Sequence, residues 1–201
     1  VFMPVWICNK MNNYCDEQWF GRKEVFNKEM GDHQWEVVEV PIEFPPKKTW
    51  KGYVDSRRLE ITCGEAPYLV SRYDAATGDI ILPPMRRIGI LDRKLRIVNE
   101  NTDTREDWLK WAVRAFQSCY GYEYQGDSLL IARINLLMTF CDYYEERWKM
   151  QADKKLLNKI ANIISWNIWQ MDGLKDTVPL GKPHEEYHQI SMFEMFEETV
   201  P

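Results

Sequence analysis

Three short stretches of this sequence end in residues suited to holding a small polar ligand. The first is Glu60-Ile61-Thr62-Cys63-Gly64-Glu65-Ala66. A short apolar run stops there at a glycine, whose missing Cβ lets the backbone approach a ligand, and a following helix N-terminus would offer free N–H groups to a carboxylate or phosphate. The second ends at Glu123, after Tyr120-Gly121-Tyr122, where a carboxylate can accept from both hydroxyls of a ribose. The third ends at Asp172-Gly173, after Asn167-Ile168-Trp169-Gln170-Met171, positioned to accept from an exocyclic amine such as that of adenine. A glycine turn with an acid after each of two later strands is a nucleoside-binding constellation. Spacing alone leaves open that Glu123 and Asp172 are only strand-end or cap residues. The turn at Gly64 departs from GxGxxG, which favours a nucleoside cofactor without a pyrophosphate.

Other chemistry has less support. His184 and His188 stand at helical spacing with Glu185 and Glu186 between them, but neither His33 nor any other residue makes a third ligand, so a solvated tail is expected and no metal. Cys8 and Cys15 lack a matching pair, and no serine or cysteine sits in a nucleophile elbow. Arg86, Arg87, Arg93, Lys94 and Arg96 form the best basic run; it reads as a solvated face, with a local DNA-backbone contact as the functional alternative. The chain has nine tryptophans. Trp108 with Trp111, and Trp166 with Trp169, stand at i, i+3, which predicts core packing in preference to base stacking.

The elements that must position these groups follow from composition and periodicity. The 201 residues, 45% hydrophobic and 28% charged, are enough for one globular domain, or one with an appendage. No apolar run approaches the ~18 residues of a membrane span. A net charge of −5 argues against a chain living mainly off phosphate contacts. Five cysteines without CxxC spacing suit a reducing compartment, and no charged-then-apolar leader pattern is present, so the cytoplasm is expected. Residues 1–30 read as one or two helices on Val5, Ile7, Cys8, Met11, Tyr14 and Cys15. "WEVVEVPIEF" reads as an edge strand or extended arm broken by Pro41, and residues 55–73 as strand, turn and helix. Residues 74–84 are a surface excursion; a helix follows on Ile88, Leu91, Leu95 and Val98, then one capped by Thr104 on Trp108, Trp111, Ala112, Ala115 and Phe116. "CYGYEY" is a strand, Asp127 caps a long helix with Leu130, Ile131, Ile134, Leu137, Met138 and Cys141 as its stripe, and residues 153–165 make another helix before the strand "WNIWQM". Strands alternating with helices predict a parallel α/β sheet.

On these residues the chain resembles the amino-type DNA methyltransferases. "LEITCGEAPYL" is similar to their motif I, Leu-Glu-Pro-x-Cys-Gly-x-Gly-x-Phe-Leu; "YGYEYQGDSLLIARINLL" to motif II and its helix; "IISWNIWQMDGL" to motif III; and "VFMPVWICNKM" to motif X, which precedes motif I in the γ-type order. The resemblance points to the adenine-N6 enzymes of restriction–modification systems. It implies a partial Rossmann-like methyltransferase sheet over residues 55–180 that binds S-adenosylmethionine, a helical or extended N-terminal segment over 1–54 and an acidic tail over 181–201. It implies that Glu60, Thr62, Cys63 and Gly64 cradle the methionine end, with Met3 and Pro4 from motif X beside them. Glu123 would hold the ribose hydroxyls, Tyr124 would lie against the adenine, and Asp172, followed by Gly173, would accept from its amine. Met3 stands where the family has Thr, Ile61 where it has Pro, and Ala66 where it has Gly.

The family's catalytic Asp/Asn/Ser-Pro-Pro-aromatic motif is missing from these residues. Leu82-Pro83-Pro84-Met85 offers neither the acceptor nor the ring, and it precedes motif II. No catalytic residue is therefore expected in this chain, and none of the motifs of a target-recognition domain is found. The resemblance implies DNA as substrate of a complete enzyme whose catalytic and target-recognition segment or subunit is supplied elsewhere. The alternative is an inactive truncated or accessory subunit that acts as a binding or structural module, with a homodimer as one way of covering the sheet edge.

Overall fold

The computed structural model describes residues 3–74 and 77–182. In chain order the elements are α1 (Val5–Phe20), a hairpin of β1 (Asn27–Glu29) and β2 (Trp35–Val37), α2 (Trp50–Asp55), β3 (Arg58–Ile61), a 3-10 turn (Pro84–Arg86), α3 (Ile90–Asn101), α4 (Arg105–Gln117), β4 (Cys119–Glu123), α5 (Gly126–Trp148), α6 (Lys154–Asn167) and β5 (Ile168–Gln170). Strands β3, β4 and β5 pair in that order and all in parallel, with Leu59 opposite Tyr120 and Tyr122 opposite Trp169. Parallel neighbours need a crossover: α3 and α4 provide the first, α5 and α6 the second. The architecture is α/β, and it is compatible with part of a Rossmann-like fold. No helix among the described residues is long and apolar enough to cross a membrane.

Local sequence explains the best-formed elements. Thr104 Oγ1 accepts from Asp107 N–H at 3.2 Å at the start of α4, and Asp153 Oδ1 accepts from Leu156 N–H at 2.8 Å at the start of α6, each satisfying an amide the helix leaves without a partner. Leu91, Leu95 and Val98 are buried, as helical spacing requires, and so are Trp108, Ala112, Ala115 and Phe116; Ile88 precedes α3 and is buried instead beside Val5 and Cys8. Trp111 is half-buried against Trp50, with ring centroids 4.9 Å apart.

Elsewhere the buried face differs from the apolar stripe in the sequence. On α5 the core takes Leu129, Ala132, Leu136, Phe140, Tyr143 and Tyr144, while Leu130, Ile131, Ile134 and Met138 stay exposed. Both stripes have helical spacing; the aromatic one wins because it buries more surface around Trp108. Trp166 and Trp169, expected in the core, are 66% and 43% exposed. The helix expected after Gly64 is only a sequence of turns, because Thr62, Gly64 and Ala66 take φ of 57°, 55° and 64°, and a left-handed residue breaks a right-handed helix. Gln125, and not Asp127, is the N-cap of α5 and makes no side-chain cap bond.

The largest departure concerns the basic run. Arg87, Arg93, Lys94 and Arg96 are at most 4% exposed, so they form neither a solvated face nor a DNA contact; Arg86 alone of the five is exposed. Three of them tie other parts of the chain to α3, and Arg87, just before it, ties α5. Arg93 donates to Asp16 at 2.5 Å, Asn9 at 2.9 Å and Asn13 at 2.8 Å, all on α1. This explains why α1 buries Asn9 and Asp16, and Asn12 is buried because it donates to the carbonyls of Tyr68 and Ile88, while Met11 and Tyr14 of the expected apolar face are exposed. Arg96 donates to the carbonyls of Val38 and Val40 and to Glu100. Lys94 Nζ donates to Ser56 O at 2.5 Å and Ser118 Oγ at 2.6 Å, beside the starts of β3 and β4. Arg87 pairs with Asp142 on α5 at 2.7 Å.

Removing one partner of a buried ion pair leaves the other charge uncompensated. Arg93→Ala is expected to lower unfolding free energy by about 3–5 kcal/mol in a urea titration. Arg93→Lys is expected to recover only part of it, since a single ammonium does not span Asp16, Asn9 and Asn13. An unchanged midpoint in Arg93→Ala would show that the network does not hold α1.

Candidate functional site

A cavity of about 480 Å³ opens beyond the carboxyl end of β3. Its wall includes Met3, Glu60, Thr62, Cys63 and Gly64, five of the residues expected from the sequence, contributed by the start of the chain and by the β3 turn. Glu65, Pro67, Tyr68, Asp127, Ser128 and Ile131 complete the lining and were not anticipated. A signal for Asp127 and Ser128 exists: they open the helix that follows a strand-end acid, where an α/β sheet binds its ligands. Tyr68 and Ile131 carry no such signal. A larger cavity of about 580 Å³ lies among Trp6, His33, Trp35 and Arg86, away from the sheet, and contains none of the expected residues.

The turn that makes the wall is held in an unusual backbone shape. Among five consecutive residues, Thr62, Gly64 and Ala66 all have positive φ. Glycine takes this conformation freely; threonine and alanine take it at a cost. Ala66 is fully buried and stands where the family pattern has glycine. Inside the turn, Glu60 accepts from the amides of Tyr68 at 3.4 Å and Leu69 at 3.2 Å. Burial pushes its pKa up to about 8; the two amides oppose that shift, and the neighbouring Glu123 adds to it. Burial, then the carboxylates of Glu60 and Glu123, likewise push the Cys63 thiol well above its usual range. Gly121 makes room for this arrangement in the middle strand: a Cβ there would stand 3.1 Å from Cys63 Sγ and 3.2 Å from Ile168 Cδ1.

The remaining expected residues lie outside the cavity. Pro4 is the N-cap of α1. Glu123 is buried behind the wall, with Oε2 accepting from Gly64 N–H at 2.6 Å and Oε1 from Gln125 N–H at 2.8 Å. Tyr124 is exposed, and its carbonyl accepts from Gln170. Asp172 spends Oδ1 on the amides of Leu174 and Lys175, the bonding of a local turn. Gly173 packs on Ile61, where a Cβ would lie 2.6 Å from Cγ2. Among the described residues no cluster could hold a metal ion; His184 and His188 lie outside them.

The fold and the cavity define an α/β chain with a ligand-sized site at the carboxyl end of a parallel sheet. Comparison with protein-family models, with curated proteins and with solved structures finds no match to this chain.

Two variants test the site's internal balance. Ala66→Gly relieves a left-handed alanine and is expected to stabilise the chain by about 1 kcal/mol in denaturant melts, the entropy of the more flexible unfolded chain offsetting part of the relief. Glu60 keeps its proton to about pH 8 when folded, against an ordinary value of 4.5, so its contribution to stability is full below 4.5 and lost as pH rises to about 8. Glu60→Gln removes that slope. Its midpoint relative to wild type should therefore climb between pH 5 and pH 8; a constant difference would show that the Glu60 carboxyl titrates normally.

Proposed function

We propose that this chain is the S-adenosylmethionine-binding portion of a γ-type adenine-N6 DNA methyltransferase. One observation carries this: Met3 of the motif X stretch and Glu60, Thr62, Cys63 and Gly64 of the motif I stretch, distant in sequence, line a single cavity at the end of β3. The cavity volume lies within the usual range for small-molecule sites. Its donor set fits the cofactor's charge. Glu65 and Asp127 are acidic and the lining has no Lys, Arg or His, which suits a sulfonium and an ammonium and disfavours phosphate. Bound there, S-adenosylmethionine would supply an electrophilic methyl group. Thr62, Gly64 and the first turn of α5 would orient the ligand, and the neighbouring apolar groups of Met3 and Ile131 would exclude water.

The target-binding and catalytic groups would come from a further segment or subunit. In support, β3 pairs only with β4 among the described residues, so its other edge is open. Leu59 and Ile61 are 48% and 50% exposed on the same sheet face as Trp169, although parallel sheets are normally covered on both faces. The same exposure favours the second reading, a module that keeps the fold for association, with a second copy or another chain on this face.

Calorimetric titration decides between them. S-adenosylmethionine and S-adenosylhomocysteine are expected to bind the purified chain, and Gly64→Val, which forces a β-branched residue to φ near 55°, to abolish binding. The chain alone is expected to transfer no methyl group to DNA. No heat of binding at millimolar ligand would reject the cofactor reading and leave the association module.

A further inference from the structure

The cavity of about 580 Å³ away from the sheet shares no lining residue with the one beyond β3, and its volume is also that of a small-molecule site. Stretches distant in sequence build it. The first turn of α1 brings Trp6, the loop between β1 and β2 brings Asp32 and His33, β2 opens with Trp35, and the 3-10 turn ends at Arg86. Asp32 and His33 are both left-handed, with φ of 55° and 61°, and turn the loop back towards α1. The imidazole of His33 then stacks on Trp6, ring centroids 3.9 Å apart and planes 17° from parallel. Trp35 Nε1 donates to the carbonyl of Arg86 at 3.4 Å, which ties the 3-10 turn to β2. Ile80, Ile81 and Leu82 add an aliphatic side, and Ile80 and Leu82 are left exposed.

Two opposite charges stand in this apolar and aromatic hollow without meeting. The arginines that follow Arg86 each take a carboxylate: Arg87 pairs with Asp142, Arg93 with Asp16 and Arg96 with Glu100. Among the described residues the Arg86 guanidinium and the Asp32 carboxylate have neither a hydrogen bond nor an ion pair, and they do not pair with each other. Asp74 also lines the cavity, giving two carboxylates to one guanidinium and no lysine. That balance disfavours a phosphate ester or other simple anion, and the free guanidinium disfavours a simple cation. A ligand that carries both charges on an apolar ring satisfies all of them. We propose that this cavity binds an aromatic α-amino acid as its zwitterion. Arg86 takes the carboxylate through two parallel N–H donors, Asp32 takes the ammonium, and the ring lies among Trp6, Trp35 and Ile81, where aromatic pairs gain beyond their buried area. Ring burial supplies most of the affinity and the two charges fix orientation and specificity. Both charges must sit on one carbon, which excludes an aromatic residue inside a peptide. The site stands independently of the methyltransferase reading.

The experiment is an NMR titration of the 15N-labelled full chain that follows the indole N–H signals of Trp6 and Trp35, assigned by their loss in Trp6→Phe and Trp35→Phe. The ligands are L-phenylalanine and L-tryptophan, beside phenethylamine, 3-phenylpropionate and L-alanine, which lack the carboxylate, the ammonium and the ring. Both aromatic amino acids are expected to shift the two indole signals at millimolar concentration, and each of the three analogues to bind about tenfold more weakly than phenylalanine. Arg86→Gln should weaken phenylalanine by about the same factor and leave phenethylamine unchanged. Asp32→Asn should weaken phenylalanine and leave 3-phenylpropionate unchanged. Neither side chain has a partner in the free chain, so both variants should keep the wild-type urea midpoint, which separates loss of the site from loss of the fold. Indole signals that stay in place with both amino acids would overturn the proposal. Phenethylamine binding as well as phenylalanine would make this a cation site, 3-phenylpropionate binding as well would make it an anion site, and either result rejects the zwitterion. Phenylalanine binding indifferent to both Arg86→Gln and Asp32→Asn would reduce the cavity to an apolar surface and reject it too.

Discussion

The buried guanidinium of Arg93 is the interaction on which the rest of the arrangement depends. A charge this far from water persists only if it is paired and hydrogen-bonded, and here both terminal nitrogens find their partners on another part of the chain: Asp16, Asn9 and Asn13 on α1. Asp16 in turn accepts from Tyr53 at 2.7 Å, where burial and the adjacent carboxylate keep the phenol protonated, and Asn9 exchanges hydrogen bonds with Asn27. The network locks the first helix in one rotation about its axis. Met3, just before that helix, is thereby set against the β3 turn, and one wall of the cavity exists because of it. Lys94 repeats the device at the strands. Its ammonium ties Ser56 to Ser118, immediately before β3 and β4, at the cost of a pKa lowered by burial.

The cavity is assembled from strain and charge more than from shape. A turn with three left-handed residues brings backbone amides to the end of β3, and carboxylates occupy the space around it. Two of those carboxylates face inward into the protein: Glu60 onto the amides of Tyr68 and Leu69, and Glu123 onto Gly64 and Gln125. Burial raises the pKa of Glu60, and the nearby Glu123 adds to the shift.

The sheet is finished on one side only. Cys119, Gly121 and Ile168 face a covered layer, whereas Leu59, Ile61 and Trp169 face outward, and α5 adds Leu130, Ile131, Ile134 and Met138 to the exposed apolar surface. Parallel sheets normally carry a layer on both faces, and among the described residues this one carries it on one face only. This also accounts for nine tryptophans in a chain of this size: some fill the core around Trp108, and others, such as Trp166 and Trp169, remain outside it.

The sequence by itself determined the elements whose signals are local. The Thr104 cap, the apolar spacing of α3 and α4, the β-rich runs before Glu123 and Asp172 and the alternation that forces a parallel sheet are all consequences of residues within a few positions of one another. It also marked the Met3 and Glu60–Gly64 stretches that line the cavity. Tertiary structure decided what depends on partners far along the chain. Arg87, Arg93, Lys94 and Arg96 read as a surface run because isolated cations prefer water; they are buried because α1 hydrogen-bonds Arg93, Ser56 and Ser118 hydrogen-bond Lys94, the carbonyls of Val38 and Val40 take Arg96, and Asp142 pairs with Arg87. The α5 helix has two apolar stripes of equal periodicity, and only packing against Trp108 chooses between them. Glu123 and Asp172 show the same limit, since a strand-end carboxylate looks alike in sequence whether it waits for a ligand, clasps a neighbouring loop or closes its own turn. Periodicity fixes which residues share a face, and only the competition among faces and charges for a shared interior fixes which face is inside.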